Sequence, residues 1–217
     1  MDKVVVFADH TIGYKLVDYL LKKSKTNDYI IIAVFSNETK NSWWQDVKEI
    51  ADSSKIDFHY YCQEKAIEFF KKIDCDYLLL LSWKHILPLE IIKKVKKHTI
   101  NLHYSLLPKH RGVYPVNWAI QEGDQETGIT YHLVNSKIDE GNIIAQEKIN
   151  INFTDDSKAL LQKLDVLAIQ LFKKIWIIRN MWSNMAVMQK NRERSYHSKQ
   201  NFIETNIIEL SENSKEF

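Results

Sequence analysis

The run Asp76-Tyr77-Leu78-Leu79-Leu80-Leu81-Ser82 decides the fold class of this chain. A strand that is apolar on both faces is typical of the centre of a parallel sheet, where helices cover both sides. Around this run, strand-like and helix-like segments alternate through the first hundred residues. The expected strands are 3–7, 28–35, 58–61, 76–82 and 99–103, and the expected helices are 12–23, 43–51, 63–73 and 89–97. This alternation predicts an α/β fold with a wound, mostly parallel sheet, whose ligands bind beyond the carboxyl ends of the strands.

After residue 103 the pattern changes. The sequence predicts a short helix at 116–122, two strands at 127–134 and 142–150, and a helix from the cap region 155–157 to about residue 185. The two strands are close in sequence, so we expect them to be antiparallel or to extend the sheet edge. A stripe of Leu and Ile along the long helix fits core packing better than a dimer seam. We expect one domain over 1–186 and a C-terminal extension over 187–217, which could form a dimer interface or a substrate-binding element.

Composition limits the functions that need considering. The chain has 217 residues and a net charge of +2, which gives no electrostatic reason to expect nucleic acid or an anionic membrane as a partner. Its two cysteines, Cys62 and Cys75, are not in C-x-x-C spacing and are expected to be free thiols in a reducing compartment. The short apolar run at the N-terminus suits a first strand better than a signal peptide. These features predict a cytoplasmic location.

Several common site motifs are missing. The first strand-to-helix turn, residues 8–13, has one glycine and carries Asp9, which argues against a dinucleotide site. There is no P-loop, no H-E-x-x-H and no G-x-S-x-G. Four histidines fall between residues 98 and 132, but no pair has a standard metal-ligand spacing, so no metal site is expected.

Three polar residues suggest a site. Asn101 and His103 alternate with apolar neighbours at the end of a strand, so both side chains lie on the same face. Asp139 is in a later loop that ends at Gly141. An amide, an imidazole and a carboxylate suit the attack of a neutral amine on an acyl carbon, because they can stabilise an oxyanion and move a proton. From these residue types alone, a purely structural role is the alternative.

The same residues resemble a known family. The stretch Asn101-Leu102-His103-Tyr104-Ser105-Leu106-Leu107-Pro108 with Arg111-Gly112 resembles the signature of the folate-dependent formyltransferases. Residues 128–134 and 139–144 continue the resemblance in the same order. The resemblance implies the Rossmann-like formyltransferase fold, 10-formyltetrahydrofolate as co-substrate, no metal, and Asn101, His103 and Asp139 as catalytic residues.

Other segments are similar to the nucleotide-sugar N-formyltransferase branch of that family. They are residues 42–44, 82–88, 114–120 and 194–197. This branch formylates an amino-dideoxysugar linked to a nucleotide, usually dTDP, that is destined for surface polysaccharide. Tyr104 stands where the purine-pathway and tRNA enzymes commonly have proline, and the first turn lacks the glycine-rich phosphate loop of the glycinamide ribonucleotide enzymes. The chain is also expected to end before the full tRNA-binding domain of the methionyl-tRNA enzymes.

The resemblance further implies binding residues. Ile86, Leu87, Ser136, Asp139 and Gly141 are expected to hold the co-substrate. Lys84 is the candidate for the diphosphate, and Trp44, Tyr114, Trp118 and Tyr196, together with Trp43, are candidates for contacts with the base or sugar. The alternative for Lys84 is a solvated surface charge, and for each aromatic residue it is a place in the core or in an interface.

Two other functions remain open at this point. The first is a formyltetrahydrofolate hydrolase, which would use the same three residues to pass the formyl group to water. Hydrolases of the family usually carry an additional N-terminal regulatory domain, which is not expected here. The second is a non-catalytic nucleotide-sugar binding module, against which the presence of all three polar residues argues.

Overall fold

The computed structural model describes residues 1–24, 28–38, 44–190 and 194–202. Their helices and strands, in chain order, are β1 (Asp2–Ala8), α1 (His10–Ser24), β2 (Tyr29–Ser36), α2 (Val47–Ser53), β3 (Asp57–Tyr60), α3 (Gln63–Lys72), β4 (Cys75–Leu81), α4 (Leu89–Ile92), β5 (Val95–His103), β6 (Arg111–Gly112), α5 (Pro115–Gln121), β7 (Glu126–Leu133), β8 (Ile143–Asn150), α6 (Ser157–Ile177), α7 (Trp182–Met185) and β9 (Tyr196–His197). None of the helices in these described ranges is long and apolar enough to cross a membrane.

Seven strands form the central sheet in the order β3-β2-β1-β4-β5-β7-β8. The strands from β3 to β5 in this order run parallel, and β7 and β8 are antiparallel to their neighbours. The strand order reverses between β1 and β4, which is the place where wound sheets open a crevice for ligands. The predicted α/β class, the mostly parallel sheet and the antiparallel pair at its edge are confirmed.

Alternation along the strands builds one apolar layer on each face of the sheet. Tyr77 and Leu79 of β4 point toward the layer under α1 and α6, whereas Leu78 and Leu80 point toward the layer under α3 and α4. This arrangement explains why the central strand is apolar at every position. The stripe along α6 is also core, since its members Leu160, Leu164, Leu171 and Ile175 are buried in the first layer.

Three predicted helices are shorter in the structure. The helix expected at 89–97 ends at Ile92, and β5 begins at Val95, because Cys75 pairs with Val95 and Tyr77 with His98 along the full length of β4. The helix expected from residue 43 begins at Val47, where the Asp46 side chain accepts from the backbone N–H of Lys48. Residue 43 itself lies outside the described ranges.

The long C-terminal helix is also shorter than expected. It stops at Ile177, and a 3-10 turn at Arg179–Met181 leads into α7. Arg179 is buried and forms ion pairs with Asp2 and Asp28. The change of direction at this turn accompanies the two ion pairs of the Arg179 guanidinium.

The described part of the extension returns to the domain. Val187 forms an antiparallel bridge with Ile143, and β9 pairs in parallel with β6. The expected hairpin or helix at 201–210 falls outside the described residues except for positions 201 and 202.

Candidate active site

The three predicted polar residues meet on the α3/α4 side of the sheet. Ile100 and Leu102 point into the opposite layer, so the alternation of β5 places Asn101 and His103 on this side. Asp139 reaches them from the loop between β7 and β8. Its Oδ1 is 3.4 Å from Asn101 Nδ2, and its Oδ2 is 3.5 Å from His103 Nδ1.

Backbone geometry holds Asp139 in place. The residue has a left-handed φ of 51°, and its Oδ2 accepts from the backbone N–H of Gly112 at 2.9 Å. Gly141 closes the loop, and a Cβ at this position would lie 1.6 Å from the carbonyl oxygen of Leu133. The loop conformation that presents Asp139 therefore requires glycine at 141.

Contacts of the two side chains fix their protonation. His103 Nε2 lies 2.8 Å from the carbonyl oxygen of His110, which can only accept, so Nε2 carries a proton and Nδ1 faces Asp139. Burial lowers the pKa of His103, although the Asp139 carboxylate opposes this, so the ring is neutral with a bare Nδ1 at pH 7. Burial would raise the pKa of Asp139, but the imidazoles of His103 and His132 and the Gly112 N–H hold it well below its usual range.

His132 also belongs to this site, although no sequence pattern assigned it there. Its Nε2 is 3.2 Å from Asn101 Nδ2 and 3.4 Å from Asp139 Oδ1, while its Nδ1 lies 2.9 Å from the carbonyl oxygen of Leu133. His132 therefore donates through Nδ1 and accepts the Asn101 amide proton at Nε2. The one sequence feature that pointed to His132 was its position in the segment 128–134. Its contact with Asn101 depends on the antiparallel register of β5 and β7.

A second side chain that no sequence pattern indicated, Gln189, holds the backbone of the Asp139 loop. Gln189 donates from Nε2 to the carbonyl oxygens of Asp139 and Gly141, at 2.7 and 2.8 Å. Its Oε1 accepts from Arg111 Nε and Nη2, at 3.2 and 2.6 Å. Both side chains are buried, and Arg111 Nη1 also pairs with Glu140. Gln189 carries no motif, so only its place in the fold reveals this contact.

The residues expected to hold the co-substrate lie on two loops beside these side chains. Leu87, in the loop after β4, and Val134, after β7, both belong to the apolar cluster on this side of the sheet, so the two loops follow strands that end over the same layer. Ile86 is 72% exposed and Ser136 is also exposed, whereas Gly141 is buried.

The candidates for nucleotide and sugar contacts fall into two groups. Lys84 is exposed, and the half-buried Trp44 lies against His10, with ring centroids 4.6 Å apart. Trp43 is outside the described residues.

The second group lies beside the extension. Tyr114 and Tyr196 are half exposed, but Trp118 is buried with one face on His197 at a centroid distance of 4.1 Å. Tyr196 pairs with Arg111 and stands next to Gly112, which donates to Asp139. Of these three, Tyr114 and Tyr196 are therefore more accessible to a ligand than Trp118.

Comparisons with known proteins agree on one family. The formyl transferase family model matches residues 2–175. The chain is 34% identical over 175 residues to the bifunctional polymyxin resistance protein ArnA of Wigglesworthia glossinidia brevipalpis, covering 79% of this chain and 27% of the relative. It is 30% identical over 186 residues to the methionyl-tRNA formyltransferase of Prochlorococcus marinus, covering 81% and 53%. The chain thus spans about a quarter to a half of the length of such curated relatives.

Solved structures are similar over more of their length. An N-formyltransferase from Helicobacter canadensis, in complex with folinic acid and dTDP-3-aminofucose, is 27% identical with a TM-score of 0.75, covering 93% of this chain and 72% of the other. A 4-N formyltransferase from Francisella tularensis is 25% identical with a TM-score of 0.72, covering 92% and 77%. A phosphoribosylglycinamide formyltransferase from Bacillus halodurans, 21% identical with a TM-score of 0.67 over 78% and 91% of the two chains, shares the fold.

Proposed function

The chain belongs to the formyl transferase family, and we propose that it transfers a formyl group from 10-formyltetrahydrofolate to the free amine of a dTDP-linked amino-dideoxysugar. The observation that carries the proposal is the approach of Asn101 and His103 to the two oxygens of the single carboxylate of Asp139. An amide donor, an imidazole and a carboxylate around one point are the groups that acyl transfer to an amine requires.

The co-substrate supplies the formyl carbon in this reaction. The amine attacks as a neutral group, because an ammonium has no lone pair. Asn101 Nδ2 donates to the formyl oxygen as it gains negative charge. Asp139 accepts the proton that the attacking nitrogen loses, directly or through water, and passes it to the bare Nδ1 of His103, 3.5 Å away. The imidazolium then donates to the oxygen and finally protonates the departing nitrogen of the co-substrate, so that no proton is left over.

The loops after β4 and β7 suit the flat pterin of the co-substrate. Ile86 and Ile138, one on each loop, expose large apolar side chains, 72% and 40% respectively. Exposed apolar groups beside a polar centre are typical of sites that bind aromatic ligands. We assign the co-substrate to Ile86, Leu87, Ser136, Asp139 and Gly141.

The sugar substrate is supported by the similar solved structures, one of which holds dTDP-3-aminofucose. Lys84 has no ion-pair partner among the residues that the structure describes, which leaves its charge available for a diphosphate. Trp44, Tyr114, Trp118 and Tyr196 are assigned to the base and sugar, with Trp118 acting from a buried position. Residues 187–217 form an extension to the catalytic domain 1–186 and contribute Tyr196 to the substrate side.

We also propose where the product is used and in what form the chain acts. The product is a formylated nucleotide sugar for surface polysaccharide or lipopolysaccharide, made in the cytoplasm where folate co-substrates and nucleotide sugars are available. The chain acts as a homodimer without a resident metal in the reaction, and it binds neither nucleic acid nor membrane.

Methionyl-tRNA is the second candidate acceptor, since curated relatives that are 30–37% identical are methionyl-tRNA formyltransferases. An enzyme that formylates this acceptor requires a basic surface for the tRNA. The net charge of +2 does not favour it.

One assay separates these functions. Purified protein is incubated with 10-formyltetrahydrofolate and, in separate reactions, with dTDP-3-amino and dTDP-4-amino sugars, UDP-amino sugars, methionyl-tRNA or buffer alone. Mass spectrometry is expected to show a gain of one carbon monoxide unit on a dTDP-amino sugar. Formylation of methionyl-tRNA, formate release in buffer alone, or no turnover with any acceptor would each overturn the proposal.

A further inference from the structure

We propose that His110, Glu122 and His197 form a binding site for a divalent cation of the zinc type, separate from the reaction centre. Among the described residues these three bring their ligand atoms within 4.8 Å of one another. His110 Nδ1 is 3.0 Å from His197 Nε2, which is 3.5 Å from Glu122 Oε1. The three come from the loop before β6, the end of α5 and strand β9, so no spacing in the sequence indicated them.

Two of the three separations are close to those expected around a tetrahedral ion. Zinc bonds of about 2.0–2.1 Å place neighbouring ligands about 3.3 Å apart at a tetrahedral angle. The two short distances at His197 Nε2, 3.0 and 3.5 Å, lie on either side of that value. A carboxylate and two imidazoles leave a fourth position for water, as in sites with three protein ligands.

The surroundings of His110 prepare it as a ligand. Its Nε2 lies 2.9 Å from Asp124 Oδ2, and Lys109 Nζ lies 2.5 Å from Asp124 Oδ1. Asp124 therefore takes a hydrogen bond from Lys109 on one oxygen and the Nε2–H of His110 on the other. His110 therefore presents a bare Nδ1 toward His197. A carboxylate behind a ligating histidine is the usual arrangement in zinc sites.

His197 is positioned as a ligand by other contacts. Its ring stacks on Trp118, and its carbonyl accepts from the backbone N–H of Val113 at 3.0 Å. Without a cation, His197 Nε2–H donates to His110 Nδ1. When the cation binds, it replaces that proton, which moves to His197 Nδ1.

A cation could reach the site from solvent, and its binding would link three parts of the chain. The Glu122 side chain is 40% exposed, which gives an ion access from solvent. A cation held there would join the end of α5 to β6 and β9. We therefore expect it to stabilise the segment that carries Tyr196 and to leave the chemistry at Asn101 unchanged.

The test uses untagged full-length protein treated with a chelator and then titrated with zinc chloride in a calorimeter. One equivalent is expected to bind, and cobalt(II) is expected to give the intense visible bands of a tetrahedral site. Zinc should also raise the thermal midpoint and slow hydrogen exchange in residues 194–202. Glu122→Gln and His197→Gln should each weaken zinc binding at least about tenfold, and Asp124→Asn by about 10–100-fold.

His59→Gln and Glu68→Gln are the matched controls. His59 pairs with Asp57 on β3, and Glu68 pairs with Lys72 on the exposed side of α3, so both variants should bind zinc like the wild type. Circular dichroism verifies that the variants fold, and the exposed Glu122 can be changed without touching the core. No stoichiometric binding, or binding that Glu122→Gln and His197→Gln leave unchanged, would show a simple hydrogen bond between the two histidines and overturn the proposal.

Discussion

Asp139 is surrounded by polar groups rather than by solvent. The Gly112 N–H and the Asn101 amide donate to its oxygens, and these contacts help to keep it ionised in spite of burial. A carboxylate with so low a pKa holds a proton only briefly. It therefore suits a relay to His103 better than storage of the proton.

Asp139→Asn tests that relay. The amide keeps the size of the side chain but cannot accept a proton, so kcat should fall by about 10²–10⁴-fold. The formation of formyl product by the purified variant is the measurement. Asp74→Asn is the matched control, because Asp74 pairs with Lys96 on the surface and its loss should leave kcat unchanged. An Asp139→Asn enzyme within a few-fold of the wild type would contradict the role.

At the scale of single residues, the sequence predicted what depends on local periodicity. Asn101 and His103 follow from alternation along one strand, and Asp139 from its motif. His132 and Gln189 could not be placed in the same way. The contact of His132 depends on the register of two antiparallel strands, and that of Gln189 on where the chain returns after α7.

At the scale of elements, the β7–β8 loop depends on a side chain outside the family match, which ends at residue 175. Gln189→Met should break its hydrogen bonds to Arg111, Asp139 and Gly141 while keeping the volume. Leaving these buried groups unsatisfied should cost about 1–3 kcal/mol of unfolding free energy. Displacement of the Asp139 loop should also lower kcat and raise the KM for the co-substrate. Urea unfolding and steady-state kinetics measure the two effects.

Gln170→Met is the control, since Gln170 is exposed on α6. It should leave both stability and kinetics unchanged. A Gln189→Met variant that loses stability while kcat and KM remain those of the wild type would show that Gln189 supports the fold and not the loop geometry.

Element boundaries were harder to predict than the elements themselves. The segment 89–97 carries four lysines and an apolar spacing that fits a helix, yet its second half pairs with β4. The pairing wins because a central strand needs hydrogen-bond partners along its whole length. Such a tertiary requirement is absent from the local pattern.

At the scale of the whole molecule, the parallel core and its two apolar layers followed from composition and alternation. The return of the extension onto β6 did not, because β9 is two residues long and paired with a segment far away in sequence. The extension adds one histidine, His197, beside the buried His110, and the titration of the histidines affects the free energy of unfolding.

The protein should lose stability as the pH falls from about 7.5 to about 6, since unfolded histidines titrate near 6.5. Burial lowers the pKa of His103 and His197, and likewise of His85 and His98, so the folded chain binds fewer protons than the unfolded chain in this window. Unfolding free energy then rises with pH. Asp139 adds a further loss only below about pH 4, where unfolded aspartates protonate.

Urea midpoints measured across this range are the test. His197→Gln should flatten the dependence, because glutamine does not titrate, whereas the control His59→Gln should preserve it. Asp165 works in the opposite direction, since burial raises its pKa above the unfolded value of about 4, so its protonation favours the folded state as the pH falls toward that value. A midpoint that stays constant or rises on acidification to about pH 6 would mean that the buried rings are already protonated in the fold. In that case His103 would enter the reaction as a donor from the start.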